Sequence, residues 1–446
     1  MGNQKKSQHH GAKPVVRSSG KIFPDGSILE LVRIPNGEIN WLIWNGKSAE
    51  TTAQFLRQGK IFVPLRIDPT ILRSLQLPSN VAEYGSTREL FGKISGLISR
   101  VTQEADDVVQ LVTFFVFATW LVDCLPLAPL LWIVSPPTTT HAPLAQVLSL
   151  LCRRALPVSD ISATGLCAVM DLQPTLITEV FQPTRRLLNL LRESRRRGSF
   201  APVGGRFIDT CCAKVVFAPE PLRDPASAGF PLEIVLHPTR EYVHLIDPSE
   251  AERIAAEYQA KLLHCRLRNL PKVQMPAFDL SQFTAPMREI AYSLGACVVD
   301  DEELQGRILP LLKPFDTEIR VDHASLLTAI ALDVLLARCH TVTGKYFPVI
   351  ELAADVNTVL RGRGEMREVS PEEIGWVLRG LGLHTDFMPG GRKALVLTNG
   401  VRQRIHELAA GYGVRSLREP PAKIECPLCA TLALPWRVEA ISGVRS

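Results

Sequence analysis

A mostly parallel α/β sheet covered by helices on both faces is the fold predicted for the middle of this chain, and three observations predict it. Short runs rich in branched aliphatic residues recur at 130–134, 174–178, 213–218 and 232–238. Between the first of them lie stretches with helical spacing of apolar residues, so strand and helix alternate. The runs are apolar throughout instead of alternating with polar residues, as befits strands buried on both sides. Either side of this core the pattern changes, to a small β module before it and a helical region ending in a winged-helix-like unit after it.

Taken in order, residues 1–20 read as a disordered tail, polar and basic, with no apolar stretch behind it that would make a secretory signal. Met1-Gly2 does not make a myristoylation site, because Lys6 stands where Ser or Thr is needed. Residues 21–86 form the β module and a linker. ILELVRI and WLIWNG are strand-like and flank the turn Pro35-Asn36-Gly37, FVPL at 62–65 is a third run, and Pro69, Pro78 and Gly85-Ser86 mark the linker. Residues 87–270 hold the α/β domain. TRELFGKISGLISRV and EADDVVQLVTFFVFATWLVDC read as helices, LLWIV as a strand, and PLAQVLSLLCRRAL as a helix with Pro143 in its first turn. PTLIT is the next strand, expected beside LLWIV, and TRRLLNLLRESRRRG is an amphipathic helix closed by Gly198. AKVVFA and LEIVLHP complete the strands, and 249–269 is a helix with Ser249 and Glu252 as its capping box.

Residues 271–344 read as helical. In 345–414, VIELAADVNTVLRGRG is followed by a helix starting at Ser370-Pro371-Glu372-Glu373, a short strand at LHT, a turn at Pro389-Gly390-Gly391-Arg392, the strand KALVL and a closing helix. Helix, turn, helix, β-ribbon is the order of a winged helix. Residues 415–446 form a tail carrying Cys426-Pro427-Leu428-Cys429.

Composition sets bounds on function. The hydrophobic share of 46% and charged share of 21% are those of an ordinary globular, cytoplasmic chain. The net charge of +5 permits nucleic-acid contact without demanding it. The excess is local: from Gln182 to Lys214 there are eight basic residues against two acidic ones. Ten scattered cysteines, several in apolar runs, suit reduced buried thiols. The apolar stretch 108–134 is broken by Gln110, Asp123, Pro126 and Pro129, which leaves about a dozen uninterrupted residues against the roughly 20 a membrane span needs. A buried helix followed by a buried strand explains it, and no membrane partner is expected.

The loop after LLWIV carries the functional question. It occupies the place of a phosphate-binding loop, whose glycines let backbone N–H groups converge, whose lysine neutralises phosphate charge and whose hydroxyl holds Mg²⁺. Here the eight positions are Ser135, Pro136, Pro137, Thr138, Thr139, Thr140, His141 and Ala142. Ser135 and Thr140 replace the glycines, His141 the lysine, and Ala142 cannot hold a metal. On spacing alone this is an ordinary strand–helix turn. Glu179, just past the strand PTLIT, stands where an active ATPase has an acidic pair, but Thr178 precedes it and the magnesium-side acid is missing.

The order of loop, helix, acidic strand end, arginine-rich helix and the strand AKVVFAPEP resembles the P-loop ATPase domains of mobile-element and phage helicase- or primase-associated proteins, over about residues 105–270. The resemblance implies a P-loop NTPase-like fold whose signature residues have mostly changed. Ala228-Gly229-Phe230 also stands where many relatives carry an arginine finger. It implies a catalytically inactive protein, a nucleic-acid-associated or assembly component of a mobile element. The alternatives are a divergent ATPase using ATP and Mg²⁺ with Glu179 and a lysine such as Lys214, or a protein-interaction scaffold or homo-oligomer.

Other residues point to partners. Arg185, Arg186, Arg192, Arg195, Arg196 and Arg197 are read either as a phosphate-contacting patch for DNA or RNA or as a solvated helix face whose basic end suits the helix dipole. In the winged-helix unit Arg379 is the basic residue of the reading helix, beside Glu372 and Glu373, and Arg392 and Lys393 belong to the wing. Cys426 and Cys429 have the spacing of half a zinc site, without a second pair after them. His141 has no nucleophile or orienting acid assignable beside it from spacing.

Overall fold

The computed structural model describes residues 13–136, 139–159, 161–203, 205–222, 231–237, 245–273, 279–298, 300–341 and 345–412, with Val414 and Leu428. Cys426, Cys429, Pro137, Thr138 and the segment at Ala228-Gly229-Phe230 lie outside the described residues. The chain divides into two compact units, one of residues 1–223 and 229–315 and the other of 224–228 and 316–446.

The first unit opens with β1 (Val15–Ser18), β2 (Lys21–Ile22), β3 (Ile28–Arg33), β4 (Ile39–Trp44), β5 (Ala49–Thr52), β6 (Phe55–Arg57) and β7 (Lys60–Pro64). They form an antiparallel sheet in the order β2-β3-β4-β5 and a three-stranded sheet β1-β7-β6. The β3–β4 hairpin turns at Gly37, whose φ of 85° suits a residue without Cβ. Part of the expected tail is thus a strand: Val15–Ser18 pairs in parallel with β7. The expected linker contains α1 (Pro69–Ser74), started by the Asp68 side chain accepting from the Thr70 amide.

Next come α2 (Thr87–Thr102) and α3 (Asp106–Trp120). Ser86 and Glu89 close a capping box on α2. Every residue of α3 from Leu111 to Trp120 is buried, and α2 and two later helices pack against it. Phe114, Phe115, Phe117 and Trp120 alone contribute about 2–3 kcal/mol each by leaving water. That accounts for the apolar run, and among the described residues no helix is long and apolar enough to cross a membrane.

The central sheet follows: β8 (Leu130–Val134), α4 (Ala142–Leu151), β9 (Ala155–Val158), α5 (Ala163–Val169), β10 (Thr175–Glu179), α6 (Arg185–Glu193), the hairpin β11 (Phe200–Val203) and β12 (Arg206–Asp209), β13 (Lys214–Ala218) and β14 (Leu232–Val235). The sheet has five strands in the order β14-β8-β13-β10-β9, and every pairing is parallel. This is the mixed α/β fold with a parallel sheet that the sequence predicts. Leu176 is not on the strand next to β8: β13 intervenes, with Lys214 opposite both Leu130 and Leu176.

Three local expectations are corrected. α4 stops at Leu151 instead of running through Leu156, because Arg154 takes a positive φ of 49° and Ala155 begins the edge strand β9. α6 ends at Glu193, well before Gly198. The helix α7 (Pro248–Asn269) is capped by Asp247, which accepts from the Ser249 and Glu250 amides, so the Ser249–Glu252 box does not form. The unit continues with α8 (Ala285–Gly295) and α9 (Glu302–Gly306), and α10 (Ile308–Ser325) spans the division in sequence.

The second unit holds α11 (Leu327–Thr341), β15 (Tyr346–Pro348), α12 (Val349–Gly362), α13 (Pro371–Gly380), β16 (Thr385–Phe387), β17 (Lys393–Val396) and α14 (Asn399–Gly411). β15-β17-β16 is an antiparallel sheet. The expected capping box of Ser370 and Glu373 is present. α11, read as part of a separate helical stretch, shares one core with these elements through Ile330, Leu335, Leu352, Val356, Ile374 and Ile405.

Candidate functional site

β8 lies inside the sheet, between β14 and β13. From β8 the chain crosses to the far edge at β9, works back through β10 and β13, and then passes to β14 on the other side. The direction of the crossovers therefore reverses at the carboxyl ends of β8 and β13. Such a switch point leaves a crevice where ligands of open α/β sheets bind. The loop of Ser135 to Ala142 leaves β8 there.

Three contacts meet at this edge. The Ser135 amide donates to the Ala218 carbonyl at the end of β13, 2.8 Å away. The His141 ring stacks on Phe217 with centroids 4.7 Å apart and planes 26° apart. His141 Nε2 stands 3.8 Å from Glu179 Oε2, an ion pair when the imidazole is protonated. Both side chains are partly exposed, at 27% and 37%. The acid that spacing could not assign to His141 is thus Glu179, carried by a strand two places away in the sheet.

The loop itself is closed. Thr139 N and Oγ1 both donate to the Pro136 carbonyl at 2.8 Å, and Ser135 Oγ and Thr139 Oγ1 are 3.0 Å apart. The Ala142 amide is directed to Thr140 Oγ1 at 3.4 Å. Prolines at 136, 137 and 143 have no N–H to give. A phosphate cradle needs amides converging on a ligand, and those of Ser135, Thr139 and Ala142 are committed to internal acceptors.

Lys214 cannot supply the missing cation. It starts β13, so it sits at the amino end of the sheet, on the order of 10 Å from the carboxyl edge at about 3.3 Å per residue. Its side chain is fully buried and Nζ donates to the carbonyls of Cys212 at 2.7 Å and Ser194 at 3.2 Å.

The arginine cluster separates into two groups. Arg185 and Arg186 are exposed in the first turn of α6, on the same carboxyl edge as Glu179. Cations there oppose the helix dipole, so capping does not explain them. Arg196 is exposed too, while Arg192 pairs with Glu193 at 3.1 Å. Arg195 does not face solvent: it is 8% exposed and its Nε donates to the Ala128 carbonyl, and burial holds its pKa down at about 10. Arg197 donates to the carbonyls of Leu125 at 3.0 Å and Val122 at 2.8 Å. Arg195 and Arg197 pin this segment to the turn after α3.

In the second unit Arg379 lies over the Trp376 ring at 4.7 Å, and Lys393 stands 5.9 Å from the Phe387 ring. Both aromatics are exposed, at 68% and 66%, and Arg392 is exposed beside them in sequence. Spacing pointed to the cations and passed over their aromatic partners. Glu373 is engaged by the cap of its helix and by Arg367 at 3.0 Å.

A buried charge cluster was also missed. Glu30 of β3 accepts from Arg153 Nη2 at 2.8 Å, Arg154 Nε at 3.0 Å and Arg266 Nε at 2.9 Å. Arg266 also reaches Asp123 Oδ1 at 2.6 Å. Burial pushes the Glu30 carboxyl up, and the three guanidiniums more than reverse this, holding it at about 2. The signals in sequence were a lone Glu in ILELV and Arg153-Arg154 inside an apolar run. The eight described cysteines are free thiols.

No protein-family model matches the chain, and no curated protein matches it. Among solved structures, the A form apo structure of the NrS-1 C-terminal region is similar at 10% identity over 83% of this chain and 97% of that one, with a TM-score of 0.36. A full-length MCM homolog from Methanopyrus kandleri gives 11% identity over 62% and 74%, with a TM-score of 0.31. Drosophila ORC bound to DNA gives 10% identity over 73% and 87%, with a TM-score of 0.16. Likeness at this level is slight, and the fold class rests on the strand order and pairing.

Proposed function

We propose that this chain is a P-loop ATPase-like protein without turnover that serves as a nucleic-acid-associated assembly component of a mobile genetic element. The observation that carries the reading is the loop at the switch point. It has the position of a nucleotide cradle, yet the amides of Ser135, Thr139 and Ala142 are turned to acceptors within the protein and His141 is its sole candidate cation. Phosphoryl transfer depends on positioned charge, so loss of the lysine, the magnesium hydroxyl and the metal acid removes the means of turnover. Glu179 then acts as a partner of His141, holding the imidazole against Phe217.

Two features support a nucleic-acid role. Arg185 and Arg186 stand on the edge of the sheet where a ligand would lie. The second unit has the helix, helix and ribbon order of a winged helix, with Arg379, Arg392 and Lys393 beside exposed aromatic rings suited to phosphates and bases.

The test is nucleotide and DNA binding on the full chain at two salt concentrations. ATP with Mg²⁺ is expected to give no turnover, and DNA binding is expected to fall with salt and to weaken in Arg185→Glu/Arg186→Glu. Steady hydrolysis abolished by Glu179→Gln would refute the silent site. No binding of single- or double-stranded DNA or RNA at low salt would leave a protein-interaction scaffold in its place.

A further inference from the structure

The second unit carries a side-chain pair that the proposed function does not use. His340 is in the last turn of α11 and His406 lies in α14, and these helices pack together. Their Nε2 atoms are 3.1 Å apart, with ring planes at 73°. His406 is 1% exposed, whereas His340 is only partly buried, which gives the pair an approach from solvent.

The protonation pattern is fixed on one side. His406 Nδ1 lies 2.7 Å from the Arg402 carbonyl one turn earlier, so Nδ1 carries the proton and Nε2 presents a lone pair. A hydrogen bond from one imidazole nitrogen to a backbone carbonyl is the support that metal-ligating histidines commonly have. We propose that His340 and His406 form a binding site for a divalent transition-metal ion of the zinc class, each ligating through Nε2. In the metal-free pair His340 Nε2–H donates to His406. Metal entry requires that proton to move to His340 Nδ1, with no change in net protonation.

The distances suit one ion. Two nitrogens about 2.0–2.1 Å from zinc at a tetrahedral angle are about 3.3 Å apart, a few tenths of an ångström from the observed separation. Burial lowers the pKa of both histidines, and for His340 the neighbouring imidazole adds to the effect. Among the described residues no third His, Cys, Asp or Glu completes a cluster with them, so the remaining positions are assigned to water. The thiols of Cys426 and Cys429, outside the described residues, are examined by mutation.

The experiment uses the full chain freed of metal with a chelator and titrated with zinc and, in parallel, with cobalt. One equivalent of zinc is expected to bind in the micromolar range and to raise the unfolding temperature. His340→Ala is expected to weaken binding at least tenfold. Because His340 is partly exposed, this variant should fold, which circular dichroism checks, and His406→Asn gives a second reading. Cobalt reports the ligands: a spectrum without a thiolate charge-transfer band supports two histidines and water. A band lost in Cys426→Ser/Cys429→Ser would overturn the assignment of the remaining positions to water. Zinc binding that is absent up to millimolar concentration, or unchanged in both histidine variants, would overturn the site.

Discussion

Glu30→Gln is the most informative single change in the first unit. The carboxylate is 2% exposed and bonded to three guanidiniums. Around it stand Arg153, Arg154 and Arg266 against Glu30 and Asp123, so the cluster carries an excess positive charge, and the substitution doubles it without changing shape. The depression of Glu30 from 4.5 to about 2 corresponds to about 3 kcal/mol at 1.36 kcal/mol per pH unit. Breaking a buried pair typically costs about 3–5 kcal/mol, which agrees. The sign follows from the lowered pKa. The contribution is complete above pH 4.5 and is lost as pH falls toward 2, leaving about 1 kcal/mol at pH 3. Urea unfolding followed by tryptophan fluorescence reads it, since Trp41 and Trp44 are buried on β4, the strand paired with that of Glu30. A variant within about 1 kcal/mol of wild type at pH 7, or a difference that does not shrink between pH 7 and pH 3, would refute the reasoning.

Other expectations are as direct. Arg195→Ala should cost about 1–3 kcal/mol in stability and leave the salt dependence of DNA binding unchanged, whereas Arg185→Ala and Arg186→Ala should each reduce the salt slope by about 1 with little effect on unfolding. Gly85→Ala should destabilise by about 1–2 kcal/mol, because Gly85 has a φ of +77° and its added Cβ would meet the Glu89 carboxylate that caps α2; thermal unfolding measures it. For the metal-free protein, the lowered pKa values of His340 and His406 mean that stability is complete above pH 6.5 and falls as pH drops below it. Urea midpoints for the second unit should therefore decline from pH 7.5 to 5, and decline less in His340→Ala.

What was legible in the sequence was whatever depended on near neighbours along the chain. Pro35-Asn36-Gly37 announced the β3–β4 hairpin, and the apolar runs of β8, β10, β13 and β14 announced buried parallel strands. Ser370 and Glu373 announced a helix start. The edge strand β9 was hidden because Ala155-Leu156-Pro157-Val158 follows a helix without a glycine between, and Arg153-Arg154 looks like a basic helix end. The β11–β12 hairpin was hidden by its glycines and prolines. Pairings across long separations left no local trace: Glu30 and Arg266 are 236 residues apart in sequence, and His340 and His406 are 66 apart. The pairing of His141 with Glu179 likewise exists only because the strand order brings their two loops to one edge.

The encased helix α3 sets the order in which this molecule comes apart. A helix buried on every face from Leu111 to Trp120 gains little by forming before its covers arrive, so the backbone bonds and the burial of that stretch are expected to be made in one late, concerted event. Its amides from Leu111 to Trp120 should exchange with deuterated water only when the first unit opens as a whole. The exchange rate there is a gauge of global unfolding, against which the fraying of every outer element can be timed.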